Sequence, residues 1–368
     1  MRLEKLHLTN FKNYASAELA FRGDIHCLLG NNGSGKTNLL DAIHYLSMTR
    51  GAVHAHDPST IRMGENNFSV RGVFDKGGKQ SEVICSFIPP RKKTVSENGK
   101  EYQRFSEHIG KYPLVMVAPN DMEVIAGGAE ARRSFFDTLL SQIEAEYLKH
   151  LIVYQSQLRQ RNSLLRIFAE RGTRDHDLIA TYDEKIVVSG GFLFGRRKEF
   201  IQTFLTDVQQ RYAFLTKGSR EAAGIEYQSE LGQIDFQAEL SSRLDQDILL
   251  GRTTVGIHRD DFLFTLDGKE LKRFGSQGQQ KSFLIALKLA EFDCLKKKNG
   301  FTPLLLLDDI FDKLDDDRIV QLMKLVSGGS FGQIFITDAR PGRSLEVLKG
   351  AGVKSQNFAI EQGNARLL

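Results

Sequence analysis

The sequence predicts an α/β head assembled from its N- and C-terminal segments, with a mainly helical domain inserted between them. Three observations carry this expectation. An apolar run, Ile25-His26-Cys27-Leu28-Leu29, ends in a glycine-rich turn that leads into a helical pattern. A second run, Leu304 to Leu307, is four consecutive leucines, as expected of a strand covered on both faces of a parallel sheet. Between Pro119 and Pro303 there is no proline, and apolar residues recur there at helical spacing.

In chain order, Leu3, Leu6 and Leu8 mark a first strand, and Ile25–Leu29 a short buried one. Leu39, Leu40, Ile43 and Leu46 then repeat with the period of a helix. Residues 68–105 read as a β-meander with hairpin turns at Gly77-Gly78 and Asn98-Gly99. Phe136, Leu139, Leu140, Ile143, Tyr147, Leu151, Tyr154, Leu158 and Leu165 form one helical stripe, and Ile186, Phe194, Phe200, Phe204 and Val208 a second. Two helices of roughly 35 residues, each about 50 Å long, broken by the polar stretch 171–177, read as an antiparallel arm or as an ordinary helical subdomain. Strand character returns at Phe262–Leu266, followed by a helix over 282–298, the leucine strand, a helix near 316–326 and a strand over 333–337. The expected division is a head of residues 1–118 and 249–368 and an arm of residues 119–248.

Composition narrows the class without naming it. A net charge of +4 over 368 residues permits a nucleic-acid partner and does not require one. The apolar runs are far shorter than the roughly 20 residues that cross a bilayer, so no membrane partner is expected. Charges break every apolar pair of the opening MRLEKLHLTNF, which predicts no signal peptide. Cys27, Cys85 and Cys294 form no C-x-x-C pair, which fits a reducing cytoplasm better than a disulfide scaffold or a structural zinc site.

Gly30-Asn31-Asn32-Gly33-Ser34-Gly35-Lys36-Thr37 matches the phosphate-binding pattern G-x-x-x-x-G-K-[ST], between a strand and a helix as its physics requires. Backbone N–H groups and the helix N-terminus would cradle the phosphates, Lys36 would bridge the β- and γ-phosphates, and the Thr37 hydroxyl would face Mg²⁺. Asp308 and Asp309 end the leucine strand, where α/β sheets place their ligands. Asp308 is expected to organise the metal, and Asp309 to orient or deprotonate the attacking water. A strand capped by a solvated acidic turn is the plainer alternative. Ser276-Gln277-Gly278-Gln279 opens a further helix just upstream, and read alone it is either an anion-binding terminus or a helix cap.

Taken together, LHLTNFKNY over 6–14, GNNGSGKTN over 30–38, SQGQQKS over 276–282 and LLLLDDIFDKLD over 304–315 resemble the RecF family of bacterial recombination-repair ATPases, relatives of the SMC proteins. Gly256-Ile257-His258-Arg259-Asp260-Asp261 and Arg132-Arg133-Ser134-Phe135-Phe136-Asp137 also look like that family. The resemblance runs along nearly the whole chain, and the short insertion favours RecF over relatives with long coiled coils. It implies an ABC-type P-loop head in which Ser276–Gln279 is the signature, closing in trans on nucleotide held by a second subunit. It also implies an ATP-dependent homodimer that binds gapped DNA at single-strand/double-strand junctions. With RecO and RecR such a dimer helps RecA displace single-strand-binding protein, and slow, DNA-stimulated ATP hydrolysis times release. On the same ground Lys12, Asn13 and Asn38 would contact nucleotide, and Leu314-Asp315 would be the D-loop crossing the interface. Two departures from transporter-type cassettes stand out: Thr337 occupies the place of a switch histidine, and Asp309 that of a glutamate. Both are usual in the family the chain resembles. Pro119-Asn120-Asp121 is the best Q-loop candidate. His258–Asp261 reads as an ion-pair network joining head and arm before it reads as catalytic.

Arg91-Lys92-Lys93, Arg132-Arg133, Arg196-Arg197-Lys198 and Lys296-Lys297-Lys298 are the basic clusters that would meet DNA phosphates without reading bases, each set against the alternative of a solvated face. A transporter-type ATPase subunit and a nucleotide-switched protein scaffold are the competing readings.

Overall fold

The computed structural model describes residues 1–52, 56–90, 92–218, 220–309, 319, 321, 328–339, 341–350 and 352–368. The chain divides into two compact units. The first comprises Met1–Asp121, Arg211–Ser219 and Lys281–Leu368, and the second Met122–Gln210 and Arg220–Gln280.

The first unit holds two sheets, a helix over Lys36–Met48, most of a helix over Gln277–Asn299 and a helix over Pro341–Gly350. An antiparallel sheet takes β1 (Arg2–Phe11), β2 (Tyr14–Ala20), β4 (Phe68–Lys76), β5 (Lys79–Ile88), β6 (Lys92–Glu97) and β7 (Lys100–Glu101), in the order β2-β1-β4-β5-β6-β7. A mostly parallel sheet takes β3 (Ile25–Leu29), β8 (Leu114–Val117), β12 (Leu304–Leu307), β13 (Ile334–Asp338), β14 (Gln356–Glu361) and β15 (Asn364–Leu367), ordered β15-β14-β3-β13-β12-β8. All four leucines of β12 are buried, because β8 and β13 flank the strand in parallel register, Leu304 opposite Leu114 and Leu305 opposite Ile334. Helix α1 (Lys36–Met48) contributes Leu39, Leu40, Ile43 and Leu46 to one core with Leu6, Phe74 and Val83 of the antiparallel sheet and Leu28, Leu306 and Phe335 of the parallel one. The meander has its hairpins at the expected glycines. Helix α10 (Pro341–Gly350) leads into β14, whereas of the helix expected near 316–326 only the helical residues Ile319 and Gln321 are described.

Within this unit Glu97 accepts hydrogen bonds from Tyr112 (2.5 Å), Tyr102 and Lys111 (3.3 Å). Burial opposes its charge, but the two hydroxyls and the Lys111 ammonium outweigh burial and hold its carboxyl down at about 2. A carboxyl lowered by folding stabilises above the ordinary glutamate value of 4.5, and that contribution is lost as pH falls from there towards about 2. Glu97→Gln is therefore expected to flatten the acid limb of a thermal-stability curve over that window. An unchanged limb would show that another group sets it.

The second unit holds α2 (Met122–Ala126), α3 (Ala129–Ile143), α4 (Ala145–Arg171), the bulk of α5 (His176–Leu215), α6 (Phe236–Ser242), α7 (Leu244–Leu250) and α8 (Leu271–Phe274), with a small sheet of β9 (Ala223–Gln228), β10 (Asp261–Leu266) and β11 (Lys269–Glu270). The first expected long helix is broken at Glu144, whose backbone is extended (φ −142°, ψ 106°), so its stripe divides between α3 and α4. The second runs uninterrupted for 40 residues. Residues 249–280 had been expected with the head but group with the helices. The reason is nonlocal: β10 pairs antiparallel with β9, Phe262 opposite Tyr227, and Arg132 and Arg197 reach Asp261 and Asp260. Conversely, Arg211 forks onto Asp293 at 2.6 and 2.7 Å, and its segment groups with the first unit. Helix α9 (Gln277–Asn299) begins four residues before the boundary at Lys281. Among the described residues no helix is long and apolar enough to cross a membrane.

Candidate nucleotide-binding site

The glycine-rich turn leaves β3 and ends at Gly35, which adopts φ +115° at the start of α1 without any side-chain cap. The helix therefore presents an open N-terminus, with N–H groups and positive potential directed out of its first turn. Asn31, Asn32 and Gly33 are exposed, whereas Ser34 and Lys36 are buried. The Lys36 ammonium donates to the carbonyls of Gly30 (2.8 Å) and Asn31 (3.0 Å), folded over the loop it belongs to. The Ser34 hydroxyl oxygen is buried with no hydrogen-bond partner among the described residues. A buried ammonium hydrogen-bonded to neutral carbonyls and an orphaned hydroxyl in the same loop suit an anionic, acceptor-rich group such as a phosphate.

The acidic end of β12 meets the loop. The Thr37 hydroxyl lies 3.0 and 3.1 Å from the two carboxylate oxygens of Asp308, and the Thr337 hydroxyl donates to Asp308 Oδ1 at 2.7 Å. Thr337 in turn accepts from the Asp309 N–H at 2.9 Å. Burial raises the Asp308 carboxyl, with the Asp309 charge adding to the shift and the two threonine hydroxyls and Lys36 opposing it. A carboxylate raised by burial and set beside a hydroxyl is an oxygen-only donor set that fits a hard divalent cation such as Mg²⁺. Thr337, which occupies the place of a transporter-type switch histidine, thus holds the Asp308 carboxylate and the Asp309 backbone. Asp309 adopts φ +45° at the strand's end.

The N-terminal motif packs behind the loop. Lys12 pairs with the fully buried Asp41 at 2.6 Å. Asn13 donates to the Ser34 carbonyl (3.0 Å) and accepts from Asn38 (2.7 Å), and the Tyr14 hydroxyl donates to the Gly35 carbonyl (3.0 Å). Lys12 and Asn13, expected to touch nucleotide, here bind protein. Asp41 escaped the sequence reading because a lone acid on an apolar helix gives no local signal. The Q-loop candidate is a 3₁₀ turn in which Asp121 caps the Ala118 N–H at 2.8 Å. Leu314 and Asp315 lie outside the described residues.

Ser276–Gln279 form a capping box in the second unit. Ser276 Oγ accepts from the Gln279 N–H (3.1 Å), and Gln279 Oε1 accepts from the Ser276 N–H (2.7 Å). Ser276 and Gln277 are exposed, Gly278 half-buried, and Gln279 also reaches Glu221 at 2.6 Å.

Two of the expected DNA contacts need correction. Arg132, 7% exposed, forks onto Asp261 at 2.7 and 2.8 Å. Arg197, 1% exposed, is held by Asp137 (2.7 Å), the Tyr147 hydroxyl (3.0 Å), the Ile257 carbonyl (3.0 Å) and Asp260 (3.2 Å). Neither side chain faces solvent, and the Asp260-Asp261 stretch is the acidic half of this ion-pair network. Arg133 donates to the Asp260 carbonyl (2.6 Å), Arg196 pairs with Glu144 (2.9 Å), and Lys93 with Asp57 (3.1 Å). Lys198 and Lys296–Lys298 are exposed, while Arg91 and the Lys92 side chain lie outside the described residues.

A phosphate-binding loop, a two-acid strand end beside it, and a helical insertion between the two halves of one head together define an SMC-like ABC ATPase. The family model described as RecF/RecN/SMC N terminal domain matches residues 2–361. The DNA replication and repair protein RecF of Flavobacterium johnsoniae is 42% identical over 349 residues, covering 95% of this chain and 97% of its own length. That of Cytophaga hutchinsonii is 41% identical over 363 residues, covering 99% and 96%. The chain belongs to the RecF family. The solved structure of the recombination mediator protein RecF-ATPrS in the RecFOR pathway superposes with a TM-score of 0.89 at 28% identity, over 100% of this chain and 98% of that one. The RecF-ATP structure superposes at 0.86, also at 28% identity, over 100% and 99%. A Pyrococcus furiosus Smc head shares the fold alone, at 16% identity and a TM-score of 0.56. The family removes the transporter-type alternative.

Proposed function

We propose that this chain binds ATP on the loop Gly30–Thr37, dimerises when ATP is bound, and uses that dimer to hold gapped DNA at single-strand/double-strand junctions, where with RecO and RecR it helps load RecA. The observation that carries this reading is the meeting of Lys36, Thr37 and Asp308 at one strand end, with an orphaned Ser34 hydroxyl between loop and helix. Thr37 and Asp308 would hold Mg²⁺, which when bound neutralises phosphate charge. Asp309 orients the attacking water and takes its proton; its short side chain suits slow, DNA-stimulated turnover that times release. Ser276–Gln279 closes on the partner subunit's nucleotide, and Leu314-Asp315 crosses the same interface. Lys198 in the second unit and Lys296–Lys298 in the first are exposed cations that would each meet phosphates, and a dimer doubles the chain's +4 to about +8.

The test is binding to gapped duplex DNA with ATP and with ADP, over a salt series. ATP is expected to tighten binding at least about tenfold, with a steep fall as salt rises. Ser276→Arg is expected to retain nucleotide binding in the monomer and to lose both the dimer and the ATP-dependent gain. Equal binding with ATP and ADP would sink the DNA half of the proposal. The inward commitment of Arg132 and Arg197 favours a second reading, a nucleotide-switched scaffold that contacts protein first, and nucleotide-independent DNA binding would support it.

A further inference from the structure

The loop's peptide planes are fixed from outside the loop, by the first strand pair and by the last hairpin of the sheet. The Ser34 carbonyl accepts two hydrogen bonds, from Asn13 Nδ2 at 3.0 Å and from the Gly363 N–H at 3.1 Å. The next carbonyl, Gly35, accepts from the Tyr14 hydroxyl at 3.0 Å. In a trans peptide the C=O of one residue and the N–H of the next point in opposite directions. Holding the Ser34 and Gly35 carbonyls back towards β1, β2 and the hairpin therefore turns the Gly35 and Lys36 N–H groups the other way. Successive N–H groups turned to one side are what a phosphate needs.

Each brace is itself positioned. Asn38 Nδ2 donates to Asn13 Oδ1 at 2.7 Å, which leaves the amide of Asn13 only one orientation, nitrogen towards Ser34. The β14–β15 hairpin turns through Gln362 (φ +48°) and Gly363 (φ +79°), with Glu361 paired to Asn364, the two-residue turn in which both central residues take positive φ. A Cβ at Gly363 would stand 2.3 Å from the Asn13 carbonyl oxygen, and one at Gly35 would stand 2.5 Å from Asn13 Nδ2. The hairpin, Asn13 and the loop thus approach as closely as backbone allows, and only glycine fits at both contacts.

We infer that Asn13, Asn38 and the Gln362-Gly363 turn are positioning residues that set the peptide orientation of the phosphate loop, so that the C-terminal hairpin governs nucleotide affinity without touching nucleotide. This rests on the proposed role of the loop in binding ATP, and Lys36→Ala serves as the control for that role.

The test is a set of full-length variants, Asn13→Ala, Asn38→Ala, Gly363→Ala and the pairs, titrated with ATP alongside nucleotide-free unfolding curves. Asn13→Ala is expected to weaken ATP binding about fivefold, the worth of one buried hydrogen bond. Asn38→Ala acts only through Asn13, so the Asn13/Asn38 pair is expected to be no weaker than Asn13→Ala alone within about twofold. Gly363→Ala is expected to weaken ATP binding roughly tenfold, since it meets both a steric clash and a strained backbone. In steady state KM rises while kcat at saturating ATP stays within about twofold, a split that loss of folding would not produce. ATP affinities that stay at the unmutated value while the unfolding midpoint falls would overturn the inference, as would Asn13 and Asn38 effects that multiply. If Gly363→Ala does not fold, the Asn13/Asn38 pair decides. If Lys36→Ala also leaves affinity unchanged, it is the loop's role that fails; if Lys36→Ala loses binding and the brace variants do not, only the brace fails.

Discussion

Lys36→Ala is expected to lower ATP affinity by at least about 100-fold and to abolish ATP-driven dimerisation. The side chain is 4% exposed, and its ammonium donates to the Gly30 and Asn31 carbonyls at 2.8 and 3.0 Å. A bound phosphate offers charged acceptors in place of neutral ones, and a charge-assisted hydrogen bond contributes roughly 1.5–3 kcal/mol net, more where water is excluded. Three kcal/mol is about a hundredfold in a dissociation constant. The loop carbonyls sit beside exposed residues and can turn to water when the ammonium is removed, so the unfolding midpoint is expected to move little. Titration with ATP and sedimentation with and without it separate the two effects. Affinity within threefold of the unmutated chain would place the phosphates elsewhere, and a dimer that still forms on ATP would break the link between loop and dimer.

The site's local parts were legible because their chemistry is written in consecutive residues: a loop needs glycines, a lysine and a hydroxyl within eight positions, and a doubly covered strand needs only apolar residues. What escaped depends on partners far apart in sequence. The head boundary was set too early because β9 pairs with β10 across more than thirty intervening residues, and strand pairing leaves no local mark. The basic clusters misled for a reason of helix geometry. Adjacent residues on a helix project about 100° apart, so a run such as Arg196-Arg197-Lys198 sends its members in different directions. Arg197 enters the core, Arg196 lies along α5 against Glu144 and Glu199, and Lys198 meets water. Arg132 and Arg133 divide in the same way. The Ser-x-x-Gln turn was open between an anion site and a cap; it forms the cap, and its exposed first residues leave the proposed second role available. Gln362-Gly363 had the composition of a hairpin turn, but its relation to a loop more than three hundred residues upstream appears only once β14 lies beside β3.

Arg197→Met is expected to destabilise the second unit by about 3–5 kcal/mol, the range for removing one partner from a buried ion pair. Methionine roughly fills the volume, so the loss is electrostatic. Asp260, 3% exposed, keeps the Tyr227 and Ser229 hydroxyls but loses its cation, and Asp137 keeps Tyr147. Burial already raises the Asp260 carboxyl above its ordinary 3.8, against the Tyr227 hydrogen bond and the Arg197 charge, and without Arg197 it rises further. For a carboxyl raised by folding the native state binds the proton more tightly, so stability falls as pH climbs through the window between 3.8 and the raised value. The defect in Arg197→Met is therefore expected to be largest at neutral pH and to shrink on acidification. Adding Asp260→Asn removes the uncompensated charge and is expected to recover part of the loss. Urea unfolding at neutral and acid pH, with binding to gapped DNA measured on the same preparations below the transition, separates the two roles open to this residue. A loss below about 1 kcal/mol, with DNA binding sharply weakened, would return Arg197 to the DNA surface; the buried network predicts the reverse, a large loss of stability with DNA affinity unchanged in whatever fraction remains folded.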